Sequence, residues 1–341
     1  MENSISKRRL RRLRRKQEFA GKPDHGAVAE KTEQSTVPEK KEYKSRGNVF
    51  LDFYDKNYKK LLVIPFIILL LALGQIFYHD ATTGDFMNKG VSLKGGVTIT
   101  VPVQQDAIDI LELEKFLRSE HPQYDINVRA ITSLGSLEAV LIEADASTNE
   151  EGELLVASIM EYTKVKAEDM SVDMIGSSLG ESFFRQTFFA MLIAFIFMGC
   201  VVFLYFRSAA PSLAVMLAAF SDIVVTLAIV NVLGIKVSTA GVAAFLMLIG
   251  YSIDTDILLS TRVLKRKEGD VFTRVISALK TGLTMNITTM SALVVGMLLS
   301  DSAVLTQIMS ILFIGLLVDI INTWIQNVGI LRIYLERKGE E

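Results

Sequence analysis

The stretch Phe183–Phe206, FFRQTFFAMLIAFIFMGCVVFLYF, decides how the rest of the chain is read. A helix needs about 20 mostly apolar residues to cross the hydrocarbon core of a bilayer, and this stretch supplies them in one run. Five more segments qualify by the same measure: Leu61–Tyr78, Ser212–Val232, Val237–Leu259, Leu279–Leu299 and Val304–Ile330. The chain of 341 residues is half hydrophobic, only modestly above a soluble average. The distribution carries the information: residues 1–60 and 80–182 have soluble-like composition, whereas 183–335 is dominated by long apolar runs. The first span starts too far into the chain, and is too long, for a cleaved signal peptide, so it is expected to stay as an anchor.

Short loops set the orientation, because cytoplasmic loops are rich in lysine and arginine. Basic residues gather before the first span (Lys7 to Lys16, Lys59, Lys60), at Arg207, between the fourth and fifth spans (Arg262, Lys265, Arg266, Lys267, Arg274, Lys280) and after the sixth (Arg332, Arg337, Lys338). The opposite short loops hold only Lys236. One arrangement satisfies them all: both termini cytoplasmic and residues 80–182 extracytoplasmic. The expected organisation is a basic tail over 1–60, a first span over 61–79, an outer domain over 80–182, a five-helix bundle over 183–335 and a short inner end over 336–341. The basic run near the N-terminus reads as a topology determinant that touches anionic lipid, and no nucleic acid is expected. Residues 17–48 are polar and aperiodic, and read as a disordered tether.

Within 80–182 the pattern alternates. Val97–Val103, Ile126–Ile131, Leu137–Glu143 and Met170–Ile175 read as strands, and Ala107–Leu117 and Gly152–Tyr162 as amphipathic helices. The order βαββαβ is that of a ferredoxin-like unit, with helices on one sheet face and the other face free for a partner. Gly95 and Gly96 stand just before the first strand and read as a tight junction. The fold class is therefore a polytopic α-helical membrane protein with six transmembrane helices and an α+β extracytoplasmic domain.

Acids inside a span are costly and usually face the bundle interior. Asp222 falls in the third span, Asp254 and Asp256 in the fourth, and Asp319 in the sixth. Asp254 and Asp256 diverge by about 200° around the helix, so they cannot share a face. Ala243, Met247 and Gly250 precede Asp254 on a mostly small stripe, and small stripes mark close helix packing. Asp254 is accordingly favoured as the interior acid, with Asp256 as the alternative. On the fifth span Ser277, Thr281, Thr284, Thr288 and Ser291 form one polar face; Asp319, Thr323 and Gln326 form another on the sixth. Two roles compete for these groups: hydrogen-bond glue between helices, or a proton or ion relay in which a buried carboxylate changes charge.

His25, His79 and His121 lie far apart in unlike contexts, so no metal site is expected. The single Cys200 excludes an internal disulfide. No nucleophile–base pair or nucleotide loop is visible, which argues against an enzyme, and no cofactor is implied.

IGSSLGESFFRQ (175–186), with Gly180, leads into a span ending in LYFR (204–207), a junction that resembles the SecD/SecF family of the RND superfamily. GYSIDTDILLSTRVLK, Gly250–Lys265, is similar to a fourth-span signature of the SecF branch. Ser221–Asp222 falls where the family has a His-Asp pair. GVSLKGG, Gly90–Gly96, resembles the motif heading the outer domain. GLLVDIINTWIQN, Gly315–Asn327, resembles the archaeal branch. The resemblance covers about residues 60–335. It implies a SecD-like partner with a matching half, a place beside the Sec translocation channel, unfolded exported polypeptides as substrates and, in bacterial relatives, proton coupling. There are departures. Ser92 replaces an Asp of the outer motif. Thr255 occupies the bacterial SecF Asp position, while Asp254 matches the SecD position. Thr281, beside Lys280, stands where the bacterial fifth span has Arg. Two other classes stand beside this family: half of a small-molecule exporter, a class that predicts twelve spans and two large loops in one chain, and a non-transporting membrane chaperone or assembly factor, which needs the outer domain but not the carboxylates.

Overall fold

The computed structural model describes residues 49–103, 108–133, 136–266, 269–300 and 302–339. The basic run at 7–16, the proposed tether at 17–48 and His25 lie outside the described residues. Six of the helices are long and apolar enough to cross a membrane. They are α2 (Val63–Thr83), α6 (Ser177–Phe206), α7 (Ala209–Val232), α8 (Thr239–Lys265), α9 (Val271–Leu299) and a last span that starts as α10 (Ala303–Ile321) and ends as α11 (Val328–Lys338). Between α10 and α11 the residues Asn322–Asn327 form a π-helical turn. An additional helix, α1 (Val49–Leu61), precedes the first span and packs against α11. It lies in what the sequence presents as a tail. Its mean character is amphipathic rather than apolar, which is why a search for spans passes over it.

The α+β unit is built as its alternation predicts. The short helix α3 (Val91–Lys94) leads to β1 (Gly96–Pro102), followed by α4 (Ile110–Glu120), β2 (Asn127–Ser133), β3 (Ser136–Ala144), α5 (Asn149–Thr163) and β4 (Ser171–Ile175). The antiparallel sheet has the order β2-β3-β1-β4, the ferredoxin-like arrangement. Side chains alternate across a strand, so Val97, Ile99, Val101, Val140 and Ile142 share one face and bury against Leu113 and Leu117 of α4 and Leu155 and Ile159 of α5. The helices begin where the backbone amides are capped. Asp109 accepts from Leu111 N and Glu112 N, and Thr148 and Glu151 form a capping box, which satisfies otherwise orphaned donors. Thr98, Thr100, Arg129 and Glu143 occupy the other face, where Arg129 pairs with Glu143.

The glycines at the domain's base are required by close approach. Gly95 and Gly96 have φ of +90° and +137°. A Cβ on Gly95 would sit 2.4 Å from Ser177 Cα, and one on Gly180 would sit 2.5 Å from Gly95 N. The backbone entering β1 thus crosses the first turns of α6 with no room for a side chain. β4 ends at Ile175 and α6 begins at Ser177, so the sheet runs into the second span with Gly176 alone between them.

The domain is also tied to the loop between α7 and α8. Gly90 N donates to Val237 O at 2.8 Å and Val237 N to Asn88 O at 2.7 Å. Asn231 Nδ2 donates to Phe86 O at 3.0 Å, and Thr239 N at the start of α8 donates to Ser92 Oγ at 3.0 Å. Ser92, the departure from the family motif, therefore serves as a second cap for α8. Lys236 Nζ lies 2.8 Å from Asp125 Oδ2. Partial burial alone would raise the Asp125 carboxyl, but the hydrogen bond and charge of Lys236 outweigh it and hold it below the usual aspartate range.

Candidate functional site: an acid network in the bundle

The three acids Asp222, Asp256 and Asp319 come from α7, α8 and α10, and none has exposed surface. Burying a carboxylate is costly unless hydrogen bonds serve it, and the bundle supplies them from neutral groups. Asp222 accepts from Asn322 Nδ2 at 2.8 Å and from Ser252 Oγ. Asp319 accepts from Asn286 Nδ2 at 2.9 Å, and the Thr255 hydroxyl lies 3.2 Å from both of its oxygens. Asp256 Oδ1 accepts from Asn327 Nδ2 at 2.7 Å. Asp256 Oδ2 is buried and has no hydrogen-bond partner among the described residues.

Thr323 links two of these acids. Its hydroxyl is 2.9 Å from Asp319 Oδ1 and 3.1 Å from Asp256 Oδ1. A threonine hydroxyl carries one hydrogen, so it can donate to one of them at a time. Thr255 is in a similar position, since its hydroxyl also lies 2.8 Å from Ser252 O.

The π turn explains how so many polar groups reach the same place. In a regular α-helix, positions five apart diverge by about 140°. An i→i+5 turn brings them nearly into line, so Asn322 and Asn327 reach Asp222 and Asp256 from one segment. Gln326 Nε2 adds a bond to Ser221 Oγ at 3.2 Å. Trp324, from the same turn, packs against α9 at Gly282, where a Cβ would lie 2.3 Å from the ring.

The preference for Asp254 is corrected by this geometry. Asp254 is exposed, as are Ala243, Met247 and Gly250, and a Cβ on Gly250 would meet nothing within 4 Å. The small stripe is real, but it faces away from this bundle, and Asp256 on the opposite side of α8 is the interior acid. The fifth-span face behaves likewise. Ser277, Thr284, Thr288 and Ser291 are exposed and Thr281 half-buried. The hydroxyls of three of them turn back on the helix, Thr284 Oγ1 to Lys280 O at 2.8 Å, Thr288 Oγ1 to Thr284 O at 2.7 Å and Ser291 Oγ to Ile287 O at 2.7 Å, while Ser277 Oγ accepts from Arg262 Nη1 at 3.1 Å. The residue of α9 that enters the network is Asn286, which the polar-face pattern overlooks because it lies off that stripe. Asn322, Asn327 and Ser252 also escape the sequence patterns, and Thr255 stands out there only as the position of a family acid. A carboxamide lodged in an apolar span is the signal that could have found the three asparagines.

The comparisons with known proteins point one way. Residues 155–337 match the family model described as "Protein export membrane protein SecD/SecF, C-terminal". The chain is 39% identical over 285 residues to the protein-export membrane protein SecF of Pyrococcus furiosus, covering 83% of this chain and 93% of that one. It is 38% identical over 293 residues to SecF of Methanothermobacter thermautotrophicus, covering 84% and 96%. The crystal structure of SecDF from Thermus, a translocon-associated membrane protein, superposes with a TM-score of 0.66 at 19% identity. That match covers 85% of this chain but 38% of the Thermus chain, and it speaks to the fold. With the family model spanning more than half its length and its archaeal relatives matched nearly end to end, this multi-pass membrane chain belongs to the SecD/SecF family.

Proposed function

We propose that the chain is a SecF-type auxiliary subunit of protein export, working with a SecD-like half beside the Sec channel and acting on unfolded polypeptides outside the cytoplasm. The names of its relatives support the export role. The concentration of lysine and arginine at one end of the bundle supports an orientation with that end cytoplasmic and 80–182 outside. The outward stripe of α8 (Ala243, Met247, Gly250, Asp254) is the face for the SecD-like half, because small residues let helices approach closely. Replacing Gly250 with Leu is expected to reduce recovery of that subunit when the complex is purified from native membranes, at unchanged level of this chain. Equal recovery would place the interface elsewhere.

The polar network is proposed as a proton-coupled switch, and the shared Thr323 hydroxyl is the observation that carries it. A proton arriving on Asp256 or Asp319 changes which acid needs that hydroxyl, and so changes how α8 packs against the π turn. One charge crossing 100 mV supplies about 2.3 kcal/mol, enough to bias two packings by roughly fortyfold. Asp256→Asn and Asp319→Asn keep the size of each side chain and remove its charge. Each is expected to lower export of a secreted reporter while the complex still assembles. Undiminished export in the double variant would leave the membrane-chaperone reading instead.

A further inference from the structure

We propose that the free edge of β2 and the ends of α9 and α10 opposite it form a docking cleft in which an extended polypeptide adds to the sheet as a fifth strand. The inference rests on the export reading and names how the outer domain would hold its substrate.

β2 stands at the end of the order β2-β3-β1-β4 and is paired on one side, with β3. A cleft of about 200 Å3 runs beside it. One wall is Arg129, Ala130, Ile131 and Thr132 of β2, and the other includes Met297 and Ser300 at the end of α9 and Thr306, Gln307 and Ser310 of α10. Four consecutive strand residues point alternately to opposite sheet faces. What they present in common to one cleft is the strand's edge, whose outward backbone donors and acceptors have no partner strand among the described residues.

Such an edge is ordinarily blunted by lysine, proline or a bulge. Residues 127–133, NVRAITS, contain no lysine or proline. The one charge, Arg129, is held by Glu143 and by Asn127 at 3.0 Å, so it is spent on the sheet face. The register shift falls between Ile131 and Thr132, near the turn, and leaves Asn127–Ile131 regular. The opposite wall carries the hydroxyls of Ser300, Thr306 and Ser310, the thioether of Met297 and the apolar Ile235 and Ala303, none of them charged, while the Gln307 carboxamide is already held by Lys236 O and Ser238. That lining is indifferent to side-chain identity.

An unfolded exported chain varies in every side chain but keeps the same backbone, and strand addition reads the backbone. At about 3.3 Å per residue, the seven residues of β2 would engage a segment of roughly five to seven residues.

The test places a photo-reactive residue at Ala130 or Thr132, both exposed, in the full chain with its native partners. Control positions are Val172 on the other edge strand, β4, and Thr98 on the sheet face. Illumination during arrested export of a secreted reporter should join the reporter to positions 130 and 132 and spare 172. Proline at alternate positions of the arrested segment should cut that yield about tenfold, as expected from losing roughly two backbone hydrogen bonds. Cross-links from Thr98 or Val172 alone would overturn the cleft and keep the export reading. Cross-links from 130 and 132 to a membrane subunit would make the cleft a subunit interface. Reporter joined to none of the four positions would count against both.

Discussion

Asp256, Asp319 and Asp222 are each surrounded by carboxamides and hydroxyls chosen for their donors. Asn286 is the simplest to test, because it is the single α9 side chain donating to Asp319 among those described. Replacing it with Leu keeps the helix apolar and leaves Asp319 Oδ2 with only the Thr255 hydroxyl to share. An unmet buried acceptor costs about 1–3 kcal/mol, so thermal unfolding of the purified protein should move down by a corresponding amount, and Asn286→Ser should recover part of it. The residue scale is also where sequence reading is weakest. The 200° between Asp254 and Asp256 separates their faces but does not say which face is inside. A small-residue stripe pulled the choice toward Asp254, since packing against this bundle and packing against another look alike in a sequence. The sequence contains the three asparagines, yet nothing in its spacing pairs them with acids more than thirty residues away.

Elements were far easier to see. The spans are long runs whose ends the structure moves by a few residues: α6 starts at Ser177 rather than Phe183 and α9 at Val271 rather than Leu279, because polar first turns continue a helix beyond the hydrocarbon. The ferredoxin-like order was legible because strand alternation and helix periodicity differ so plainly. The π turn was not, since its sequence fits an α-helix equally well and only the network across the bundle selects the wider turn. Inserting one alanine after Thr323 should rotate Asn327 away from Asp256 by about 100°. Far-UV circular dichroism is expected to report the same helix content, while the melting transition weakens by about 1–3 kcal/mol and reporter export falls. An insertion variant with wild-type melting and export would mean the Asn327–Asp256 contact has no role.

For the whole molecule, the question is how firmly the α+β domain sits on the bundle. The main-chain bonds around Asn88, Gly90 and Val237 do not titrate, but the Asp125–Lys236 pair does. Lys236 holds the Asp125 carboxyl below its usual range. The contact therefore contributes fully above the ordinary aspartate value, about 3.9, and is lost as pH falls through the lower folded value. The Asp125 side chain is 53% exposed, so solvent screening keeps the effect small. Hydrogen exchange in residues 87–94 and 233–238 should quicken below about pH 4, and Lys236→Gln should abolish that acid dependence. Exchange that stays flat across this range in the parent protein would mean the pair does not hold the domain.

The two ends of the described chain meet in a clasp. The Tyr54 hydroxyl donates to Trp324 O, Asp55 lies 2.8 Å from Arg332, and Lys59 lies 2.6 Å from Glu336. Asp55 and Arg332 are 277 positions apart, and synthesis runs from the N-terminus. The earliest of these helices to be made must therefore wait, unmated, until the last has been threaded into the bilayer. A product broken off before the π turn and α11 leaves Tyr54, Asp55 and Lys59 of α1 without these partners, so the amphipathic helix is the last part of the molecule to be locked.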